Sequence, residues 1–371
     1  MPAAECWPSR VSSVPAPALP AVSAQATIEA RIDRLIRYTG YGAAVVILVS
    51  FLLALAFSKT VTRPLNDLAR GALRLSEGDF GARVDIRSRD ELGDMGRVFN
   101  IIGPRLREHA QMRQSLVLAS EVQRMLLPHV DPAFPGLDIA GKNINCDETG
   151  GDYYDYLPDA DEGRSISVLV GDVSGHGIAA ALLMTTARAL IRQRSALGGG
   201  IGDIVSDVNR LLVADIEASG RFMTLFYSRL EPRAMRVSWV RAGHDPAIFF
   251  DSAASRFHEL GGDGLPLGVL DTTAYEIRER FLNVGDIMVI GTDGIWEARN
   301  PRGEMFGKQA LCDLIADNAE RPAKDILAAV VGAVERFQNG TDREDDITLV
   351  VIKVLPSAAA ERPPQGLQRG V

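Results

Sequence analysis

Four carboxylate positions stand where strand-like segments begin or end. Asp152 closes Gly150-Gly151-Asp152 ahead of a short strand, and Asp172 follows Gly171 at the end of the apolar run SISVLV. Asp293 lies in Thr292-Asp293-Gly294 after DIMVIG, and Asp345-Asp346 immediately precedes ITLVV. A single carboxylate at a strand end is ordinarily a turn former. Four in one globular stretch, three of them beside glycine, would repel one another strongly in a low-dielectric cleft unless cations neutralise them. Carboxylate oxygens and water suit hard cations such as Mg²⁺ and Mn²⁺, and no His/Cys cluster competes as a soft site. Two such ions roughly 3.5–4 Å apart can bridge a water, lower its pKa and hold phosphoryl oxygens during in-line attack. A phosphate ester is the natural substrate of such an arrangement.

The elements that must position these acids fall between residues 136 and 354. Strand-like runs cover Leu137–Ile144, Ile166–Val170, Met223–Leu230, Met235–Val240, Ala247–Phe250, Ile287–Ile290 and Ile347–Val354. Helical patterns cover Ile178–Arg194, Ile201–Ala218, Lys308–Asn318 and Ala323–Phe337. Strands and helices come in blocks without regular βαβ alternation, which favours an α+β layered fold over a doubly wound parallel sheet.

Upstream the pattern is different. Arg37 and Lys59 bracket 21 residues without a charge, Tyr38 to Ser58. At about 1.5 Å per residue a helix of that length spans a bilayer core. It starts too late and runs too long for a cleaved signal peptide. Flanking Lys and Arg favour a cytoplasmic C-terminal side only weakly. Residues 1–24, rich in Pro, Ala and Ser, read as disordered, and 25–37 as a short juxtamembrane helix. After the span, Leu65, Leu68, Ala72 and Leu75 step by 3, 4 and 3, with Pro64 at a first helical turn. Gly78 ends that helix, and a connector follows with Phe80, Val84 and Ile86 as anchors. Leu92, Met95, Phe99, Ile102 and Leu106 then repeat the 3, 4 stepping. Two heptad helices too short to fold alone imply a bundle between chains. From Pro104 to Leu127 the helical pattern continues with a changed phase, and Leu126-Leu127-Pro128 stops it.

Two resemblances follow from these motifs. Arg63-Pro64-Leu65, the Gly-Asp-Phe connector and DELG at 90–93 resemble a HAMP domain over about residues 59–111, the four-helix signal relay found after membrane spans. Further on, GGDYYD, VGDVSGHGIAAALLM, RFMTLFYSRL, AGHDPA, LPLGV, GTDGIWEARN, GEMFG and DDITLVVIKV occur in the order seen in SpoIIE/RsbU-like phosphatases. These are bacterial members of the PPM group of metal-dependent serine/threonine protein phosphatases. This second likeness covers about residues 116–354, including QRMLLP. It implies an α+β fold, a β-sandwich flanked by helices (αββα), with two Mn²⁺ or Mg²⁺ ions at one end. It implies Asp152, Asp172, Asp293 and Asp345 as the catalytic metal-binding set, with Asp172 bridging both ions and the backbone carbonyl of Val173 adding a ligand. Asp346 ranks behind Asp345, because the equivalent pair in the family is often Asp-Asn, and Asp155 ranks as supporting. Gly175 and Gly177 are expected to let the backbone turn into the helix starting near Ile178. His176 has two readings, a general acid or a local structural and phosphate-facing residue. His244, in a loop where Arg241 replaces the family's usual Asn, reads first as loop-forming.

The expected organisation is thus a disordered N-terminus (1–24), juxtamembrane helix (25–37), transmembrane helix (38–58), HAMP domain (59–111), signalling linker (112–128), phosphatase domain (129–354) and disordered tail (355–371). By resemblance the partner is a phosphorylated STAS-domain anti-anti-sigma factor. The chain is expected to be a homodimer joined through the HAMP and linker helices. It is expected in the bacterial inner membrane with both domains in the cytoplasm. A net charge of −8 gives no global basic field for nucleic acid. A diguanylate cyclase shares only the Gly-Gly-Asp tripeptide, and no P-loop, HExxH or kinase ATP-lid signature is present. The alternative from a different class is a non-catalytic receptor that keeps the phosphatase fold to bind a partner.

Overall fold

The computed structural model describes residues 21–158, 163–216 and 219–356. The expected disordered ends therefore lie mostly outside the described residues. Residues 21–24 are a correction, since helix α1 (Ala21–Phe57) already includes them. Their Ala-Val-Ser-Ala composition has no helix breaker to stop the helix short of them. The chain divides into two compact units between Gln111 and Met112.

In the first unit the juxtamembrane and apolar segments form one continuous helix, α1, and its side chains from Ile28 to Phe57 are all exposed. It belongs to the one helical stretch among the described residues that is long and apolar enough to cross a membrane. A π-helical turn, Ser58–Thr62, joins it to α2 (Arg63–Ser76), which has Pro64 in its first turn. The connector then folds back onto α2 and onto the start of α3 (Glu91–Leu126). Asn100 of α3 straps the connector by accepting from the Val84 amide (3.0 Å) and donating to its carbonyl (2.9 Å). Packing is tight at two glycines: a Cβ on Gly71 would lie 2.8 Å from Val84, and one on Gly96 3.1 Å from Ile86. Val84 is thus a buried connector anchor, as its pattern predicts, while Ile86 and Phe80 are half-buried, Ile86 against Gly96. Leu65, Leu73, Met95, Val98, Ile101 and Leu106 stay 40% or more exposed.

The second unit is built on two five-stranded antiparallel sheets. One has the order β1 (Leu137–Ile144), β10 (Ile347–Val354), β9 (Ile287–Gly291), β6 (Ala247–Asp251) and β7 (Arg256–Leu260). The other has the order β2 (Tyr153–Pro158), β3 (Ile166–Val173), β4 (Met223–Glu231), β5 (Arg236–Ala242) and β8 (Arg278–Phe281). Strand alternation sorts the first sheet's side chains cleanly. Val350, Ile352, Met288, Ile290 and Phe249 enter a core shared with the second sheet. Leu349, Val351, Ile287, Val289 and Ile248 face the other way, under α6 (Lys308–Asp317) and α7 (Ala323–Gln338). Helices α4 (Ile178–Ala196) and α5 (Ile201–Ile216) cover the second sheet. The result is the four-layered α+β arrangement that the resemblance implies.

Candidate functional site

Register brings the acids together. Tyr153 pairs with Gly171 across β2 and β3. Continuing that register by one residue places Asp152 opposite Asp172. On the other sheet, Thr292 and Asp293 follow directly on β9, and Asp345 and Asp346 lead directly into β10, its neighbour. Both pairs of strands therefore deliver carboxylates to the same end of the stacked sheets.

Electrostatics confirms that these acids sense one another. Asp152 is almost fully buried, and its carboxyl is held well above the usual range by burial and by Asp172 and Asp346; bonds from Thr348 and Thr292 oppose this. Asp172 is pushed up to about 8 by burial and then by Asp293, Asp345 and Asp346. Asp293 is raised by burial and by Asp345, and Asp345 by burial and by Asp346. Like charges in a partly dry site cannot all ionise, so protons are retained unless a cation replaces them. Asp172 and Asp293 line one cavity of about 170 Å³, along with Thr224, His244, Asp245 and Thr292. Larger cavities of the unit lie elsewhere, beside α3, beside α5 and at the end of α7.

The donor set fits a hard divalent ion, being oxygen throughout and short of positive charge. Among the described residues, however, no three His, Cys, Asp or Glu side chains are already closed around one point. The four sequence-predicted ligands share an electrostatic cluster rather than a finished cage. Val173 is buried at the end of β3, and its carbonyl oxygen would be 2.8 Å from a Cβ on Gly151, so the Gly-Gly-Asp loop lies directly against it.

The remaining candidates separate into distinct duties. Asp346 is a loop staple: one oxygen accepts from the Cys146 amide and the other from the Gly151 amide, both at 2.8 Å. A Cβ on Gly150 would sit 2.3 Å from that same carboxylate, which is why this position has no side chain. Asp155 is not part of the cluster. Its side chain is buried in a two-pronged ion pair with Arg192 of α4 (2.6 and 2.7 Å) and accepts from Tyr153 Oη at 2.7 Å. It ties β2 to α4. Gly175 and Gly177 have φ of 81° and 78°, and α4 begins at Ile178 as predicted. His176 is exposed, with Nδ1 2.7 Å from Asp147 Oδ2.

Two contributors, Thr292 and Gln123, escaped the sequence reading, and His244, read there first as loop-forming, joins them. Thr292 Oγ1 donates to Asp152 at 2.8 Å, fixing the buried acid from the opposite sheet. His244 Nδ1 lies 2.8 Å from Thr224 Oγ1. Gln123, buried near the end of α3, donates to the Gly150 carbonyl (2.5 Å) and accepts from the Gly150 amide (3.2 Å), two residues before Asp152. The neighbouring motifs held the only available signals: Thr292 adjoins Asp293, and Gln123 lies in QRMLLP.

Comparison with known proteins agrees with this geometry. The family described as stage II sporulation protein E (SpoIIE) matches residues 162–355, more than half the chain, and the HAMP family matches residues 56–108. Phosphoserine phosphatase RsbU of Bacillus subtilis is 26% identical over 243 residues, covering 66% of this chain and 71% of RsbU. Phosphoserine phosphatase RsbP of the same organism is 23% identical over 210 residues, covering 56% of this chain and 50% of RsbP. Among solved structures, the RsbU and RsbW domains of Rv1364c from Mycobacterium tuberculosis superpose with a TM-score of 0.53 at 29% identity, covering 61% of this chain and 62% of that one. The SiaA-PP2C domain of Pseudomonas aeruginosa gives 0.58 at 24% identity, covering 66% of this chain and 98% of that one, a likeness of fold. Carboxylates from paired strand ends, the two-sheet fold around them and a matched family region together place the chain in the SpoIIE family of protein phosphatases, with a HAMP domain ahead of it.

Proposed function

We propose that the chain is a membrane-anchored, metal-dependent phosphatase acting on phosphoserine or phosphothreonine of a regulatory protein. The observation that carries this reading is the cluster of Asp152, Asp172, Asp293 and Asp345, whose pKa values are all raised, first by burial and then by neighbouring carboxylates, Asp346 among them. Those four carboxylates and the Val173 carbonyl would hold two divalent ions, Mn²⁺ or Mg²⁺, which when bound activate water and neutralise phosphoryl oxygens. The chain's own residues prepare the ground. Thr292 orients Asp152, Asp346 shapes the loop that carries it, and burial keeps bulk water from screening Asp152.

The substrate we infer is a phosphorylated STAS-domain protein: the phosphoserine phosphatase names of the two Bacillus relatives support phosphoserine as the group removed, and the STAS domain rests on the family resemblance. We place the span in the bacterial inner membrane and both folded parts in the cytoplasm, because a HAMP domain follows the apolar helix directly. The exposed apolar rows of α2 and α3 support a homodimer. The linker portion of α3 has a physical route to the chemistry, since Gln123 grips the backbone of Gly150. A change in that helix would reach the Gly-Gly-Asp loop first.

The test uses full-length protein in detergent with Mn²⁺ and a phosphoserine protein. Phosphate release that Asp172→Asn abolishes is expected; a folded parent protein that binds Mn²⁺ yet releases none would establish the non-catalytic receptor instead. For the relay, a double proline at Leu116 and Ala119 is expected to change activity or dimerisation. No change in either would end that part of the reading.

A further inference from the structure

Lys308 is the first residue of α6, a place where the positive end of the helix dipole disfavours a cation. Its surroundings offset that cost. The ammonium stands 4.7 Å over the ring of Trp296 and 3.5 Å from an oxygen of Asp245. The turn after β9 fixes this position through its backbone. The Gly307 amide donates to the Trp296 carbonyl and the Phe306 amide to the Ala298 carbonyl, both at 2.9 Å. The Glu297 amide donates to the Asp293 carbonyl at 2.8 Å. Lys308 is thereby held to the same turn that carries Asp293.

Asp245, the partner of Lys308, lines the same cavity as Asp172 and Asp293. Charge counting defines what this corner needs. Two divalent ions would balance Asp152, Asp172, Asp293 and Asp345. Asp245 and a substrate phosphate of about −1.5 to −2 would then repel one another without a further cation. Other cations nearby are committed. Arg241 donates to the carbonyls of His244 and Gly262, and Arg221 to the carbonyl of Ser174. His176 is tied to Asp147 at 2.7 Å. Lys308 is held less firmly, because its distance from Asp245 is long for a hydrogen bond. The two side chains keep 36% and 37% of their surface exposed, so water screens the pair. A flexible four-carbon stem lets the ammonium swing while the chain stays on Trp296.

We propose that Lys308 meets the phosphate of the incoming phosphoserine or phosphothreonine, exchanging Asp245 for this more highly charged partner. Trp296 keeps the stem in place during the exchange, and Asp245 holds the ammonium beside the cavity between turnovers. The proposal rests on the metal-dependent phosphatase reading above, since a cluster of acids attracts a phosphate only once cations fill it.

Steady-state kinetics of full-length protein in detergent decide the matter, with Mn²⁺, a phosphoserine protein and inorganic phosphate as a competing probe. Lys308→Met keeps the stem on Trp296 and loses the charge. It is expected to raise KM and the inhibition constant of inorganic phosphate about tenfold each, and to leave kcat within about twofold. Its Mn²⁺ affinity by titration calorimetry is expected to equal the parent's. Lys308→Arg is expected to recover most of both losses. A folded Lys308→Met protein with the parent's phosphate inhibition overturns the proposal whatever its KM, because a change in KM alone marks a contact with some other acid of the partner. A fall in Mn²⁺ affinity also overturns it, by assigning Lys308 to the metal site. A parent that releases no phosphate overturns the phosphatase reading and the proposal with it. Should Lys308→Met fail to fold, Asp245→Asn frees the ammonium and is expected to strengthen phosphate inhibition severalfold. Unchanged or weaker inhibition overturns the proposal.

Discussion

The HAMP unit and the phosphatase unit solve the problem of apolar surface in opposite ways. In the phosphatase unit, β9 and β10 bury side chains on both faces, one set between the sheets and one beneath α6 and α7. In the HAMP unit, α2 and α3 bury one connector and leave a row of Leu, Ile, Val and Met in the open. The phosphatase unit closes its apolar core within one chain but concentrates carboxylates at one end; the HAMP unit leaves apolar surface open. Under the proposed function, the difference teaches what each would still take up: a counter-ion in one case and a second copy in the other.

The sharpest way to test that contrast is to remove the charge that calls for a cation. Asp172→Asn is expected to lower phosphate release at least about a hundredfold while leaving the far-ultraviolet circular dichroism intact. Truncating the shared core should do the reverse. Phe249→Ala, at a fully buried site, is expected to cost about 3–5 kcal/mol in chemical denaturation of the phosphatase unit. Adding Mn²⁺ at a hundredfold excess over its Kd should stabilise that unit alone, by about 2.7 kcal/mol, and chelation should reverse the gain. In the HAMP unit, Gly71→Val drives a side chain into Val84 and Phe99, and is expected to cost about 1–3 kcal/mol. The smallest effect belongs to the open row: Leu73→Ser should change the stability of a single copy by no more than about 0.5 kcal/mol, yet reduce crosslinked dimer. If Leu73→Ser unfolds the unit without changing crosslinking, the contrast fails.

What the sequence revealed depended on how each element is buried. Strands covered on both faces, such as Ile347–Val354, read as unbroken apolar runs and were placed to the residue. The edge strands β7 and β8, RFHEL and RERF, escaped notice because edge positions carry charge and little apolar alternation. The four candidate ligands stood out because a strand end marks each site locally and glycine adjoins three of them. Their supporters did not. Thr292 reaches Asp152 across 140 residues and His244 reaches Thr224 across 20, and no local pattern encodes such pairings. Asp155 and Asp346 show the same limit from the other side: both are acids near the motifs, yet Arg192 neutralises one and backbone amides satisfy the other.

The two consecutive aspartates ahead of the last strand have an implication for the making of the protein. Asp346 shapes the loop that presents Asp152, almost two hundred residues earlier in the chain, while Asp345 adds its own charge to the same end of the sheets. β10, which these residues introduce, is also the middle neighbour between β1 and β9. A nascent chain on the ribosome, with everything up to α7 already synthesised, would still present Asp152 on an unshaped loop. The loop of Asp152 can take this shape only after the closing strand, made last of the ten, reaches its place between its two neighbours.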